Sequence, residues 1–494
     1  MWAGRVTINI LPDDVLLHIF LIDGQEYHEF ASSLFGLEDL RRVGRLRWRW
    51  HRLVHVCRRW RSIVFGSPNY LDLRLVCGPM TPIGLTGIWP PLPIIIMNSF
   101  DLNKDLNIGR NDYLPEDYDF DAAMVHPNRV REIRLVHLTR SFLQQLASAT
   151  RIQEQFPALT HLILHYRDNN PSLALPDGFL RGSAPLLQYL GLSSIPFPAL
   201  PKLLLSATHL VHLILHYIPH SGYFSPEAIV TAFAGMTNLE SLFIKFESPL
   251  SRPQRERRRP PPPIRTVLPA LIRFQFKGAS EYLEDFVARI DASLLDSISI
   301  VFFHQLIFDI PQLAQFMRRT TKFQELENVH VQFGKNVHVY HDQNVYTPPP
   351  SQTLDRSGLK ISCRELDWQL SSLPQVFIPF IPSIHMVEHL YISEPRYQPQ
   401  YDIENIQWLE IFHLFTAVKN LYLSEKYAPY IGPALQELVG GRTMEVLPTL
   451  QNIYMERHEQ SGPIPECIQK FVAARQLSGH PINAIFHFRS LIGY

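Results

Sequence analysis

The sequence has few cysteines, no excess of either charge and no long apolar run. Its 494 residues include four cysteines, Cys57, Cys77, Cys363 and Cys467, and no Cys-x-x-Cys pair. This spacing fits neither a disulfide framework nor a zinc site, and it favours a reducing compartment, the cytoplasm or nucleus. Lys plus Arg equals Asp plus Glu at 46 each, so no overall field draws the chain to nucleic acid or to an acidic membrane.

Signals for secretion, for membrane insertion and for catalysis are also absent from the sequence. The first residues lack the basic start and apolar core of a secretory signal. The run 93–97 is far shorter than the roughly 20 apolar residues of a spanning helix, and we expect it to be a buried strand. There is no glycine-rich phosphate loop, no Gly-x-Ser-x-Gly elbow and no His-Glu-x-x-His pair. We therefore expect a non-catalytic protein without a cofactor or a metal.

What the sequence does contain begins with a short amphipathic helix near the N-terminus. Pro12 suits a first helical turn, and Asp13 and Asp14 place negative charge at the positive end of the helix dipole. The apolar residues that follow at helical spacing are Val15, Leu16, Ile19 and Phe20. A second helical stripe, spaced by three and four, predicts one helix over about 36–65, with an Arg-rich opposite face. It consists of Leu46, Trp50, Leu53, Cys57, Trp60 and Val64.

These segments resemble an F-box. The matching runs are Leu-Pro-Asp-Asp-Val-Leu with Ile-Phe over 11–20, Val-Cys-Arg-Arg-Trp over 56–60 and Pro-Asn-Tyr-Leu over 68–71. The whole chain resembles fungal F-box-like proteins with a long leucine-rich region. The resemblance implies docking on the Skp-type adaptor of a cullin–RING ubiquitin ligase, while the remaining domain captures a protein for ubiquitylation.

The resemblance also assigns the adaptor-binding residues. Those that match the family's contact positions are Leu11, Pro12, Val15, Leu16, Ile19, Phe20, Val56, Cys57, Trp60 and, in the second block, Ile63. The sequence departs from the family in one respect, because 35 residues separate Phe20 from Val56. This insertion is longer than the usual spacing, and it would extend a helix or loop beside the docking surface.

Beyond residue 128 the pattern Leu-x-x-Leu-x-Leu, or a close apolar variant, recurs about every 23 to 32 residues up to Val329, near the period of leucine-rich repeats. Its middle residues are Ile133, Leu162, Leu190, Leu213, Leu242, Phe274, Ile298, Val329, Leu390, Leu421 and Ile453. The last two apolar residues of each unit should face inward from a short strand, and neighbouring strands should stack in parallel. Connecting helices are expected at 200–207, 226–236, 281–292, 311–320, 405–418 and 465–476.

The predicted fold class is therefore α/β: a small N-terminal helical F-box module over 8–76, an irregular connection over 77–127, and an irregular leucine-rich-repeat-like solenoid over 128–494. We expect the solenoid to carry a parallel sheet on its concave side. An exposed Arg/Pro-rich loop is predicted at 251–263, where a solvated loop is favoured over a site for acidic proteins, RNA or an import factor. Near 335–385 the repeat register is lost, and 364–368 is a candidate degenerate strand.

Residues that alternate with the inward ones should line the concave face and bind the target, because solenoids bind with that side. The predicted target-binding residues are His161, Ile163, His165, Tyr189, His212, Ile214, His216, Phe243, Lys245, Arg273, Lys277, Tyr391, Tyr422 and Tyr454. The four histidines among them could instead bind a metal. That alternative is disfavoured, because alternate strand residues lie roughly 6.5 to 7 Å apart and no Cys or carboxylate accompanies them at ligand spacing.

The functional prediction is a substrate receptor of a cullin–RING ubiquitin ligase. Its expected partners are a Skp-type adaptor, through it a cullin, and an unknown protein substrate. The alternative is a scaffold that assembles partners without ubiquitylation. An RNA-binding solenoid that uses the arginine runs is the weakest of the three readings.

Overall fold

The computed structural model describes residues 8–25, 49–77, 90–97, 126–146 except 142 and 145, 156–166, 174–248, 264–303, 310–320, 328–332, 337–340, 358–363, 386–393, 405–424, 428–438, 442, 444–457 and 464–488. The chain divides into two compact units, Met1–Leu210 and Val211–Tyr494. This boundary differs from the predicted divisions after 76 and 127, which stay predictions.

The first unit begins with helices. A single 3-10 turn, Ile8–Ile10, precedes α1 at Asp13–Gln25, and α2 at Arg49–Val56 and α3 at Arg58–Gly66 follow. The predicted first helix is confirmed, with Asp13 and Asp14 in its first turn. Its inward residues Leu16 and Phe20 are buried, and the Phe20 ring lies 4.7 Å from the ring of Trp60 on α3.

The prediction of one helix over 36–65 is wrong within the described residues. Cys57 has extended backbone angles, φ −159° and ψ 170°, and separates α2 from α3. Its Sγ accepts a hydrogen bond from the backbone N–H of Trp60 at 3.5 Å, so Cys57 acts as the N-cap of α3. Cys57 is therefore exposed rather than part of a continuous apolar stripe. A regular 3-4 spacing does not reveal a capping residue placed on the stripe itself.

A parallel sheet completes the first unit. Its strands are β1 Leu75–Cys77, β2 Ile94–Met97, β3 Val130–Leu138, β4 His161–Tyr166 and β5 Tyr189–Ser193, paired in that order. The predicted strand near Ile94 is confirmed. Because β1 and β2 belong to the same sheet, the sheet starts well before the predicted solenoid start at 128. Helix α4 at Leu200–Leu204 and 3-10 turns at Pro127–Arg129 and Phe179–Gly182 lie between or after the strands.

The second unit alternates strands and helices. Its strands are β6 His212–Ile218, β7 Ser241–Phe246, β8 Thr266–Val267, β9 Arg273–Gly278, β10 Ile290–Asp291, β11 Ser297–Phe302, β12 Asn328–Gln332, β13 Val337–Tyr340, β14 Gly358–Cys363, β15 His389–Ser393, β16 Asn420–Ser424, β17 Asn452–Arg457 and β18 Asn483–Phe488. Its helices are α5 Pro226–Phe233, α6 Ser280–Val287, α7 Pro311–Arg319, α8 Asn405–Leu414, α9 Ala428–Gln436 and α10 Glu466–Leu477, with a 3-10 turn at His220–Gly222. Every predicted repeat motif lies on or leads into a strand, and each predicted helix is present with bounds shifted by a few residues.

The large sheet of this unit has the order β6-β7-β9-β11-β14-β13-β12-β15-β16-β17-β18, and β8 pairs with β10 separately. It is parallel except at β13, which pairs antiparallel with both β12 and β14. The predicted parallel sheet is therefore confirmed, and β13 is its one antiparallel strand among those described. Strands β12, β13 and β14 form a meander, and β13 and β14 lie in the region near 335–385 where the repeat register was predicted to fail. Short polar strands such as Val337–Tyr340 carry no Leu-x-x-Leu-x-Leu signal.

The two faces of the second unit's sheet differ. The inward residues contact the helices: Phe274 stacks on Phe286 of α6 at 5.6 Å, and the ring of Tyr282 lies 4.8 Å from Phe246 and 5.8 Å from Phe276. Packed aromatic pairs of this kind stabilise a core beyond simple area burial. The residues that alternate with them lie on the opposite side, called here the open face.

Several predicted features lie outside the described residues: the start of the second helix at 36–48, the Arg/Pro-rich loop 251–263 and the candidate strand 364–368. Among the helices that the structure describes, none has the length and apolar character needed to span a bilayer.

Candidate interaction surfaces

Helix α1 has one buried and one exposed apolar face. Leu16 and Phe20 point inward, whereas Val15, Ile19 and Ile22 are 38, 41 and 58% exposed. The exposed three are spaced by four and three residues, so they form a stripe along one side of the helix. Sequence reasoning missed Ile22, although the same spacing could have found it. Clustered exposed apolar residues are typical of an interaction site.

Arg59 holds the start of α1 against α3. Its guanidinium lies 2.6 Å from Oδ1 of Asp13, and it donates a hydrogen bond of 2.6 Å to the carbonyl of Leu11. This contact places the half-buried Leu11 and the exposed Pro12 beside the start of α3. The exposed apolar stripe of α1 is therefore carried on a fixed helix rather than on a free segment.

The other predicted adaptor-binding residues divide by burial. Val56, at the end of α2, is 58% exposed, Cys57 is exposed, and Trp60 is half-buried against Phe20. Ile63 is buried within α3. Leu16, Phe20 and Ile63 thus act in the helical core, and the residues available to a partner are Leu11, Pro12, Val15, Ile19, Val56 and Cys57, together with the exposed part of Trp60.

In the first unit, the predicted target-binding residues lie next to one another on the side of the sheet opposite the buried leucines of β4 and β5. The rings of His161 and Tyr189 stack at 5.9 Å with 13° between their planes, as expected for residues in register on β4 and β5. Ile163 is in register with Gly191, where a Cβ would lie only 3.2 Å from the Tyr189 ring. His161, Ile163, His165 and Tyr189 are all half-buried.

An ion-pair network continues this row on β3. Glu132 is in register with His161, and its carboxylate pairs with Arg134 at 2.9 Å and with Arg74. Burial alone would raise the pKa of Glu132, but the positive charges of Arg134, His161 and Arg74 outweigh it, so the pKa is lowered. The side chain is 4% exposed. The network keeps a charged carboxylate on an otherwise half-buried face.

In the second unit, strands β6, β7, β9 and β11 bring several predicted residues together. His216 stacks on Phe243 at 6.3 Å, and Nζ of Lys245 lies 5.6 Å from the centre of the same ring. Lys245 is in register with Lys277 of β9. At the other end of the strands, Arg273 donates a hydrogen bond of 3.1 Å to Oγ of Ser241. Burial is the main cause that lowers the pKa of His212; Glu240 opposes this shift and Arg273 adds to it.

Two of the predicted target-binding residues on β6 and β7 are not exposed. Ile214 is completely buried and Phe243 is 4% exposed. They are direct neighbours in register on β6 and β7. Neighbouring parallel strands lie only about 4.8 Å apart, so large apolar side chains in register cover each other. The expectation that both present a free side chain to a partner is therefore corrected, and they support the residues around them.

On strands β15, β16 and β17 the open face carries a row of tyrosines. The rings of Tyr391 and Tyr422 stack at 4.0 Å with 8° between their planes, and those of Tyr422 and Tyr454 at 4.6 Å with 12°. We call these three residues the tyrosine stack. Because the rings cover each other's faces, Tyr391 is buried, and only Tyr422 and Tyr454 are half-exposed.

A row of amides runs beside the tyrosine stack. Nδ2 of Asn452 donates to Oδ1 of Asn420 at 2.8 Å, and Nδ2 of Asn483 donates to Oδ1 of Asn452 at 3.1 Å. Asn420 in turn contacts Nδ1 of His389 at 3.3 Å. Each asparagine occupies the same register position in successive strands. Asn483 lies on β18, which has no leucine repeat motif, so the repeat pattern did not predict its position.

No group of three or more His, Cys, Asp or Glu side chains in the described part of the chain is arranged to hold a metal ion.

Comparison with known proteins finds little similarity in sequence or in structure. No protein-family model matches the sequence, and no curated protein matches it. Among solved structures, the chain is similar to a leucine-rich repeat-containing protein, LegL7, from Legionella pneumophila. The identity is 11%, the match covers 70% of this chain and 87% of that chain, and the TM-score is 0.27. A likeness at this level does not establish a fold or a function for the chain.

Proposed function

We propose that the chain is a non-catalytic substrate receptor of a cullin–RING ubiquitin ligase. The N-terminal helices would dock on a Skp-type adaptor, which links the chain to a cullin. The open face of the sheet would hold the target protein. Such a receptor accelerates ubiquitin transfer by placing the target close to the reacting groups, and needs no catalytic residue of its own.

One observation supports the proposal most directly. The sequence that resembles an F-box forms a helix whose stripe of Val15, Ile19 and Ile22 is exposed, although Leu16 and Phe20 of the same helix already form the core. A helix that needed only to pack would have a polar outer face. Val56 adds a further exposed apolar residue at the end of α2. An apolar partner surface is the simplest occupant of such a stripe.

The burial pattern defines the test. Substitution of Leu16 or Phe20 would disturb the helical core, whereas Val15→Asp with Ile19→Asp adds charge at positions that already contact water. We expect the full-length wild-type chain to capture a purified Skp-type adaptor and the double variant to lose at least about tenfold in affinity, because two charges would be desolvated at the interface. Ser62→Asp, at an exposed position of α3, is the matched control and should bind as wild type.

Circular dichroism and thermal unfolding would establish that each variant is folded. If the folded wild-type chain does not bind the adaptor, or if the double variant binds as well as wild type, the receptor proposal is wrong. The first result would favour the alternative of a scaffold without a ubiquitylation role, since the 35 residues between Phe20 and Val56 would then have removed the docking mode.

A further inference from the structure

Arg74 lies where the N-terminal helices meet the sheet of the first unit. It directly precedes β1, and the segment 67–74 connects β1 to the end of α3. The backbone N–H of Leu73 donates a hydrogen bond of 2.9 Å to the carbonyl of Pro68, and Leu73 is 3% exposed. The helices are therefore joined to the sheet by a packed segment rather than by a flexible linker.

The backbone of Arg74 is bonded to α2. Nε1 of Trp50 donates a hydrogen bond of 3.1 Å to the carbonyl oxygen of Arg74. The ring of Trp50 also lies 5.9 Å from the ring of Phe65 on α3, with 65° between their planes. Trp50 therefore contacts both the neighbouring helix and the residue at which the sheet begins.

The side chain of Arg74 is bonded to the sheet. Its guanidinium pairs with the carboxylate of Glu132 on β3. Glu132 is 4% exposed, and its other carboxylate oxygen pairs with Arg134 of the same strand at 2.9 Å. Because a buried carboxylate without its ion-pair partners is costly, the folded chain keeps Arg74 beside β3.

Asp72 orients the same guanidinium. Its Oδ1 accepts a hydrogen bond of 3.0 Å from Nε of Arg74, and its Oδ2 lies 2.8 Å from Nη2. A bidentate pair of this kind defines the orientation of the guanidinium as well as its position. Asp72 has φ +47°, a left-handed conformation that is uncommon for residues other than glycine. Such backbone conformations persist where surrounding contacts hold them, and they concentrate at functional sites.

We infer that Arg74 is a positioning residue, which fixes the orientation of the adaptor-docking helices relative to the target-binding side of the first unit's sheet. Hydrogen bonds connect α2 with β3 through this one residue. Glu132 is in register with His161, so the connection ends among the predicted target-binding residues. The inference rests on the proposed function, because a receptor accelerates ubiquitin transfer only if it holds the target at a defined position relative to the ligase.

The orientation is measured first, on the full-length chain without any adaptor. Spin labels carried by non-canonical residues at positions 62 and 202, which are both exposed, report the distance between α3 and α4. Double electron–electron resonance gives the distribution of this distance. We expect a narrow distribution for the wild-type chain and one that is broader by about twofold or more for Arg74→Gln, because the helices would then turn about the segment 67–74.

Arg134→Gln is the matched control. It also removes one ion-pair partner of Glu132, but it leaves Arg74 and its bond to Trp50 in place, so the distance distribution should stay as in wild type. Trp50→Phe keeps an aromatic ring beside α3 and removes only the hydrogen bond to the Arg74 carbonyl, and it should broaden the distribution as well. Circular dichroism and thermal unfolding would establish that each variant is folded.

Ubiquitin transfer is the functional measurement. The ligase is assembled from the chain, a Skp-type adaptor, a cullin with its RING subunit and a ubiquitin-charged conjugating enzyme, and the acceptor is Lys202, an exposed lysine of the first unit. We expect Arg74→Gln to bind the adaptor as wild type does and to slow transfer to Lys202 by about fivefold or more, because the acceptor is no longer held at a defined distance. Arg134→Gln should transfer at the wild-type rate.

The inference is overturned if Arg74→Gln gives the same distance distribution as wild type, or if Arg134→Gln broadens the distribution as much as Arg74→Gln does. It is also overturned if Arg74→Gln transfers ubiquitin to Lys202 at the wild-type rate. Failure of the docking proposal is a different result, since it appears as the absence of adaptor binding by the wild-type chain, and the distance measurement does not require the adaptor.

Discussion

Glu284 of α6 caps the helix that contains Leu313. Its two carboxylate oxygens accept hydrogen bonds from the backbone N–H groups of Gln312 and Leu313, at 2.9 and 2.8 Å, in the first turn of α7. The residue at the N-cap position of α7, Ile310, has no side-chain oxygen that could do this. A side chain from the helix of one repeat therefore caps the helix of the next repeat. The carboxylate also interacts favourably with the dipole of that helix.

Replacement of this cap should destabilise the second unit. Glu284 is 7% exposed, so Glu284→Ala leaves two backbone donors without their partner in a region that water scarcely reaches. We expect a loss of about 1–3 kcal/mol in the free energy of unfolding, measured by urea unfolding of the full chain. Glu284→Gln retains one acceptor and should lose less. Glu410→Ala, at an exposed position of α8, should stay within about 0.5 kcal/mol of wild type.

The contact between α9 and α10 depends on a glycine. A Cβ at Gly432 would overlap Sγ of Cys467 and would lie 2.9 Å from its Cβ. We expect Gly432→Ala to lower the thermal midpoint despite the better helix propensity of alanine, since the overlap costs about 1–3 kcal/mol. Gly432→Ala combined with Cys467→Ala removes the larger overlap, so the double variant should recover part of the loss. If Gly432→Ala is as stable as wild type, this account of the α9–α10 contact fails.

The middle ring of the tyrosine stack should contribute more to the free energy of unfolding than an outer ring does. Tyr422 has a ring neighbour on each side, whereas Tyr454 has one within the stack. An aromatic pair contributes about 0.5–1.5 kcal/mol beyond its area. Tyr422→Ala should therefore destabilise the chain more than Tyr454→Ala does.

A double-mutant cycle in urea unfolding tests this coupling. The effects of Tyr422→Ala and Tyr454→Ala should not add, because the first substitution already removes the contact that the second would lose. Tyr223→Ala, outside the stack, should be additive with Tyr422→Ala. Full additivity of the two stack variants would show that the stacked geometry contributes nothing of its own.

The repeat pattern predicted the strands well for a specific reason. Residues such as Leu213 and Leu215 have to face the helices in every repeat, so burial imposes the same spacing on each strand, and the strands appear where the motif predicted them. The helices were predicted for a similar reason, since Pro226 and Pro311 mark first turns.

Other features could not be read from spacing. The break at Cys57 depends on a capping geometry that an unbroken 3-4 pattern conceals. The antiparallel strand β13 has a polar, alternating sequence without the repeat motif. The burial of Ile214 depends on its register with Phe243, which a single strand does not reveal. The positive φ of Tyr217 could not be predicted either, because the near-identical run His161–Tyr166 continues β4 without left-handed backbone.

Acid should destabilise the first unit through Glu132. Burial would raise the pKa of this carboxyl, but Arg134, His161 and Arg74 outweigh burial and lower it below the usual value of 4.5. The unfolded chain therefore binds the proton more readily than the folded chain does. The stabilisation is fully present above about pH 4.5 and is lost as the pH falls through the folded-state pKa.

Urea unfolding at a series of pH values from about 3 to 7 measures this contribution. Glu132→Gln should be less stable than wild type at pH 7 by about 1–3 kcal/mol, because Arg134 and Arg74 lose a charged partner but remain partly exposed to water. The difference between the two proteins should shrink as the pH falls below 4.5, since the wild-type carboxyl is then protonated as well. Glu410→Gln, at an exposed position, should follow the wild-type pH profile throughout. A difference between Glu132→Gln and wild type that is independent of pH would assign the effect of Glu132 to packing rather than to its charge.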